Sequence, residues 1–267
     1  MPQPSISLQY AEYGVGGSGP VVLLHGFPLN GAMWNELVPA LADRYHVIVP
    51  DLRGHGQSAA PAGVYAMADY AADVLALLDT LNIERAAIVG LSMGGYVSLQ
   101  LLTGAPERLS AAVLADTMGR ADTDERKQAR AAQAEIIRTE GLAAFAEQVL
   151  PRMFAPSVPQ DRPALVERFR QTILRQRPEA VVSALLGLAA RPDMITALRQ
   201  VHVPTLVLVG AEDLATTPEH AHELASVIPD ATLVSLPGAG HMSNWEDPEG
   251  FNTAVRTFLD QTVARRT

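Results

Sequence analysis

Gly90-Leu91-Ser92-Met93-Gly94-Gly95 is the stretch on which the reading of this chain turns. A lone serine stands among glycines, behind the apolar run Ala86-Ala87-Ile88-Val89 and ahead of Tyr96-Val97-Ser98-Leu99. Glycine clusters also mark ordinary turns, so the six letters alone do not decide. G-x-S-x-G acquires chemical meaning where a strand, a sharp turn carrying the serine and a helix follow one another. Such a turn strains the serine backbone, and its neighbours must lack side chains. Gly90 and Gly94 leave that room, and Gly95 lets the helix approach the strand. The hydroxyl then stands at a helix N-terminus, where the dipole favours negative charge.

Outward from this turn, further apolar runs begin at Val21 (VVLLHGF), His46 (HVIVPDL), Ala111 (AAVLADT), Pro204 (PTLVLVGAED) and Ala231 (ATLVSLPGAGH). Runs apolar on both faces mark buried parallel strands. The segment SISLQYAEYG alternates instead, as an antiparallel edge strand does. Helical patterns fall between the runs, at Ala66–Leu81, from Pro218 to Val227 and from Pro248 onward, with proline in the first turn of the last two. Strand alternating with helix predicts an α/β fold with a mostly parallel sheet. Between about Gly119 and Gln200 no strand pattern occurs. Helical patterns follow one another there: 122–139, 142–150, 162–175 and 178–190. This predicts a helical insertion that covers the strand ends, where open parallel sheets place their ligands.

With 267 residues the chain can bury a large core without disulfides or metals. It has no cysteine, which excludes a thiol nucleophile and thiolate metal sites. A formal charge of −9 argues against nucleic acid and anionic membranes as partners. The N-terminus shows no signal-peptide pattern and no apolar run reaches membrane-spanning length, so a cytoplasmic location is expected. Oligomeric state is not legible.

A serine hydroxyl needs a base, and histidine is the usual one near neutral pH. His46 and His202 stand at strand starts, on the wrong side, and His220 and His222 lie on an outer helix. His25, His55 and His241 remain at or beyond strand C-termini. His241 follows a glycine-bearing loop after the last strand. His25, in HGFP, and His55, in DLRGHGQS, suit loop-orienting and packing roles. The base needs an acid to hold its tautomer. Asp213 closes LVLVGAED and is favoured. Asp116 closes AVLAD and is the alternative. The order Ser92, Asp213, His241 is that of α/β-hydrolases. The oxyanion formed on attack needs backbone N–H donors, expected from Met93 and from Phe27 in HGFP.

Taken together, HGFPL, DLRGHGQS, GLSMGG, VGAED and GAGHMSNWEDPEGF resemble the α/β-hydrolase fold family along nearly the whole chain. Within it the sequence is similar to small bacterial carboxylesterases, 3-oxoadipate enol-lactone hydrolases and the cofactor-free haloperoxidase-perhydrolase group. The resemblance implies an eight-stranded, mostly parallel sheet flanked by helices, with a helical cap inserted after the sixth strand. The implied divisions are a core of residues 1–118 and 201–267 and a cap of 119–200. Serine at position 92 departs from haloalkane dehalogenases and epoxide hydrolases, which carry aspartate there.

The expected activity is hydrolysis of small to medium, largely apolar carboxylic esters through an acyl-enzyme, without cofactor or metal. Phe145, Val149, Met153, Phe154, Leu186 and Met242 are the candidate pocket residues. Arg120, Arg126 and Arg191 could fold over the site and bind an acidic lactone, the leading alternative. Perhydrolase side activity, and a binding protein on a hydrolase scaffold with little turnover, are the others.

Overall fold

The computed structural model describes residues 3–14 and 19–263. The apolar runs form β1 (Tyr10–Tyr13), β2 (Pro20–Leu24), β3 (His46–Pro50), β4 (Ala86–Leu91), β5 (Leu109–Ala115), β6 (Thr205–Gly210) and β7 (Thr232–Leu236). They make one sheet in the order β1-β3-β2-β4-β5-β6-β7. β1 runs antiparallel to β3 and all other pairs are parallel. Among the described residues the sheet therefore has seven strands, not eight, and the helical insertion follows the fifth. SISLQYAEYG contributes only Tyr10–Tyr13. Its earlier part leaves the ladder because side chains of other segments take its N–H groups: Ile6 N donates to Asp73 (2.7 Å) and Gln9 N to Ser58 (2.9 Å).

Helices of eight residues or more are α1 (Met67–Thr80), α2 (Met93–Gly104), α3 (Asp124–Glu140), α4 (Leu142–Val149), α5 (Pro163–Leu174), α6 (Pro178–Ala189), α7 (Pro218–Val227) and α8 (Pro248–Thr262). Alternate residues of each strand serve opposite faces of the sheet. Val21 and Leu23 pack with Phe251, Val255 and Leu259 of α8. Val22 and Leu24 pack with Tyr70 and Val74 of α1 and Val97 of α2. None of the helices among the described residues is long and apolar enough to cross a membrane.

The insertion holds α3 to α6. Thr123 caps α3 by accepting from Arg126 N, and Gly141, at φ 85°, turns the chain into α4. Met194 N donates to Gly119 O (2.8 Å) and closes the neck of the insertion. Phe145, Phe169, Ile173 and Leu185 share one apolar cluster with the strands, so the insertion is fused to the core by burial. After β2 the chain adds β3 on one side and then, from β4 on, all later strands on the other, so the order of addition reverses between β2 and β4. This is the switch point where open parallel sheets leave a crevice, and both HGFP and GLSMGG emerge beside it.

Candidate active site

Ser92 occupies the turn between β4 and α2 with φ 54° and ψ −110°, a conformation costly for a residue with a side chain. The crowding behind it is measurable. A Cβ on Gly90 would lie 2.3 Å from Gly94 O, and one on Gly94 would lie 2.0 Å from Leu24 O. Ser92 N donates to Ala115 O (2.9 Å), and Thr117 Oγ1 donates to Ser92 O (2.9 Å). The elbow is thereby tied to the end of the neighbouring strand.

Ser92 Oγ lies 3.0 Å from His241 Nε2, and His241 Nδ1 lies 2.8 Å from Asp213 Oδ2. The network assigns the ring proton to Nδ1, leaving Nε2 to accept from the serine. Asp213 is held in turn: Oδ1 accepts from Ala215 N (2.7 Å) and Thr216 N (3.0 Å), and Oδ2 accepts from Thr216 Oγ1 (2.7 Å). Burial pushes the Asp213 carboxyl up, but the His241 charge and these donors leave it below the ordinary range. Burial pulls the His241 imidazole down, and the Asp213, Asp116 and Glu246 carboxylates more than reverse this, leaving it raised.

Asp116 sits behind this line and does not hydrogen-bond His241. Its Oδ1 accepts from Gly210 N (2.8 Å) and its Oδ2 is paired with Ser243 Oγ. Burial, then the nearby Asp213 charge, drives its carboxyl well above the ordinary range. Of the two aspartates offered by the sequence, Asp213 contacts the histidine.

His25, in HGFP, and His55 are fully buried. His25 Nε2 accepts from Leu52 N (2.9 Å) while Nδ1 donates to Gly26 O (2.9 Å), joining HGFP to the DLRGHG turn. The His55 ring lies 5.2 Å from that of His25 and 6.1 Å from that of Phe27. Desolvation lowers His25 to about 4 and His55 to about 3, so both are neutral packing groups near pH 7.

A cavity of about 150 Å³ opens over Ser92 and His241. Phe27 and Met93 both border it. The Met93 N–H, in the first turn of α2, has no intrahelical acceptor, and among the described residues the Phe27 N–H has none in the protein. Phe145, Val149 and Met153 line the apolar wall. Phe154, Leu186 and Met242 do not line it. Phe154 and Met242 are buried core residues, and Leu186 packs against that core, because their helix and loop faces turn toward the strands.

Of the opposite wall, only Arg126 was expected over the site. Arg126, Ala129, Arg130 and Gln133 stand at i, i+3, i+4 and i+7 of α3 and face the cavity, joined by Gln148 and Arg152. Among the described residues no carboxylate lines it. The buried Asp122 carboxylate meets Arg126, Arg130 and Arg191, at 3.4, 2.5 and 2.7 Å, so one negative charge faces three positive ones. Among the described residues the two terminal nitrogens of Arg130 make no hydrogen bond. Two of the three arginines expected over the site are elsewhere. Arg120 turns outward to Glu223, and Arg191 stacks on Tyr96 at 4.3 Å beside Asp122.

Residues 19–248 match the α/β-hydrolase fold family, and the chain belongs to it. It is similar to a solved thermophilic esterase from Thermogutta terrifontis, determined with malate bound (TM-score 0.91, 39% identity, 96% of this chain and 93% of that one). A 3-oxoadipate enol-lactonase of Acinetobacter baylyi is 33% identical over 254 residues, 95% of this chain and 93% of its own. A provisionally assigned non-heme bromoperoxidase of Mycobacterium tuberculosis has TM-score 0.86 at 31% identity, over 97% of this chain and 98% of its own. All three groups of relative expected from the motifs are represented. Their names agree on no single substrate.

Proposed function

We propose that this protein is a serine hydrolase that cleaves carboxylic esters through an acyl-enzyme on Ser92. One observation carries the reading: the unbroken line from Ser92 Oγ to His241 Nε2 (3.0 Å) and from Nδ1 to Asp213 Oδ2 (2.8 Å), beneath a cavity. Oγ attacks the carbonyl carbon while Nε2 takes its proton. The carbonyl oxygen becomes an oxyanion, which the N–H groups of Phe27 and Met93 receive. As the tetrahedral intermediate collapses, the C–O bond to the alcohol breaks and His241 protonates the leaving oxygen. Water then gives a proton to His241 and attacks the acyl carbon; as the second tetrahedral intermediate collapses, the C–O bond to Ser92 breaks and His241 returns the proton to Oγ, releasing the acid. Asp213 stays ionised, holds Nδ1–H and stabilises the imidazolium. Residues 119–200 act as a cap over a core of 1–118 and 201–267, and their α3 and α4 faces shape the substrate.

The surplus of guanidinium groups favours a narrower second reading, in which the ester or lactone carries a carboxylate that Arg130 and Arg126 receive. A charged hydrogen bond contributes about 1.5–3 kcal/mol. The acidic ester p-nitrophenyl hydrogen glutarate is therefore expected to exceed p-nitrophenyl butyrate by about tenfold or more in kcat/KM. Ser92→Ala is expected to lose at least about 10³-fold in kcat on both. Wild-type hydrolysis by that variant would overturn the mechanism. Equal use of the two esters would overturn the narrower reading alone.

A further inference from the structure

Glu246 is a buried carboxylate for which the acyl-transfer steps have no use. It ends the short helix Ser243–Glu246, five residues after His241. Its Oε2 accepts from Ala155 N (2.8 Å) and its Oε1 from Met242 N (3.1 Å), while Arg162 donates to its main-chain oxygen (2.7 Å). Met242 N also lies 3.0 Å from Met153 O. A Cβ on Gly240 would stand 2.3 Å from Ala155 N. One carboxylate thus bolts residues 153–155 of the insertion to residues 240–242 of the loop that carries His241. Met153 borders the cavity, and so does His241. Two N–H groups point at the two carboxylate oxygens. Glutamine offers only one acceptor and would turn an N–H against the other donor.

We propose that Glu246 is a positioning residue: its carboxylate fixes His241 against the cavity wall and its charge stabilises the imidazolium formed during acyl transfer. The proposal rests on His241 being the base. Burial raises the Glu246 carboxyl above its ordinary value, and the N–H groups of Ala155, Gly240 and Met242 and the Arg162 charge offset only part of that rise. The charged groups that face His241 are the carboxylates of Asp213, Asp116 and Glu246 and, across the cavity, the guanidinium groups of Arg126, Arg130 and Arg152.

The test uses Glu246→Gln and Glu246→Asp in the full chain. The pH profile of ester hydrolysis is measured, with an NMR titration of the His241 ring in a Ser92→Ala background. Glu246→Gln is expected to lower kcat about tenfold and to move the acid limb and the His241 midpoint down by about 0.5 pH unit or more. Glu246→Asp keeps the charge on a shorter arm, so kcat falls while the midpoint stays within about 0.2 unit of wild type. An unmoved His241 midpoint in Glu246→Gln, even with a lowered Tm, overturns the proposal. Should Glu246→Gln fail to fold, kcat of Glu246→Asp within about twofold of wild type overturns it instead. The ring titration needs no turnover, so it judges Glu246 even if Ser92→Ala refutes the serine mechanism.

Discussion

Lowering the pH should unfold this protein through two histidines that take no part in the chemistry. His25 and His55 are fully buried and stay neutral down to about 4 and about 3. In the unfolded chain each binds its proton near 6.5. Between those values the unfolded state holds more protons, so stability is complete above 6.5 and is lost as the pH falls toward the folded pKa values. Each pH unit below 6.5 costs about 1.4 kcal/mol per histidine, so at pH 5.0 each removes about 2 kcal/mol and the pair about 4 kcal/mol. That is a large part of a typical domain stability of about 5–15 kcal/mol. His241, Asp116 and Glu246 work in the opposite direction, because their raised pKa values make protonation favour the fold. Urea unfolding at pH 7.5 and 5.0, followed by the fluorescence of the buried Trp34 and Trp245, measures the difference. His55→Asn should roughly halve the pH-dependent loss. A difference of less than about 1 kcal/mol between the pH-dependent losses of the wild type and His55→Asn, or a His25 or His55 ring that titrates near its ordinary value in the folded protein, would refute the reasoning.

Other expectations concern the site itself. Asp213→Asn should lower kcat by about 10³–10⁴-fold and shift the acid limb down, because the charge that raises His241 is gone, whereas Asp116→Asn should cost less than about tenfold; the reverse ranking would move the acid to Asp116. Activity requires neutral His241, so kcat/KM should rise with pH through a midpoint above 6.5, and a midpoint below that value would contradict the site electrostatics. Gly94→Ala drives a Cβ to 2.0 Å from the Leu24 carbonyl and should destabilise by at least about 1–3 kcal/mol in thermal unfolding. Arg130→Gln should reduce the preference for the acidic over the neutral p-nitrophenyl ester by about tenfold, and an unchanged ratio would remove Arg130 from substrate recognition.

Most of the sheet was legible because buried parallel strands are apolar on both faces and end at glycine, aspartate or histidine. The same runs put Ser92, Asp213 and His241 at strand C-termini, and strand order alone brings such ends together. The eighth strand came from resemblance, not from any apolar run, and the described residues hold no counterpart. SISLQYAEYG alternated correctly, yet Asp73 and Ser58 compete for its N–H groups, and side chains on distant segments leave no local trace. The pocket was read less well. Phe154, Leu186 and Met242 are apolar enough for a binding wall, but apolarity does not tell a wall from the core behind it. The α3 face Arg126-Ala129-Arg130-Gln133 is polar at helical spacing, the pattern of a solvated surface. Only the fold of the insertion turns that face inward over Ser92.

The central claim is that Ser92 is the nucleophile. Treating the wild type with a fluorophosphonate, locating the adduct by peptide mass spectrometry and following ester hydrolysis in the same samples tests it most directly. The expected result is a phosphonyl group on Ser92, with hydrolysis lost in proportion to labelling. A label on another residue, or hydrolysis that survives complete labelling of Ser92, would contradict it.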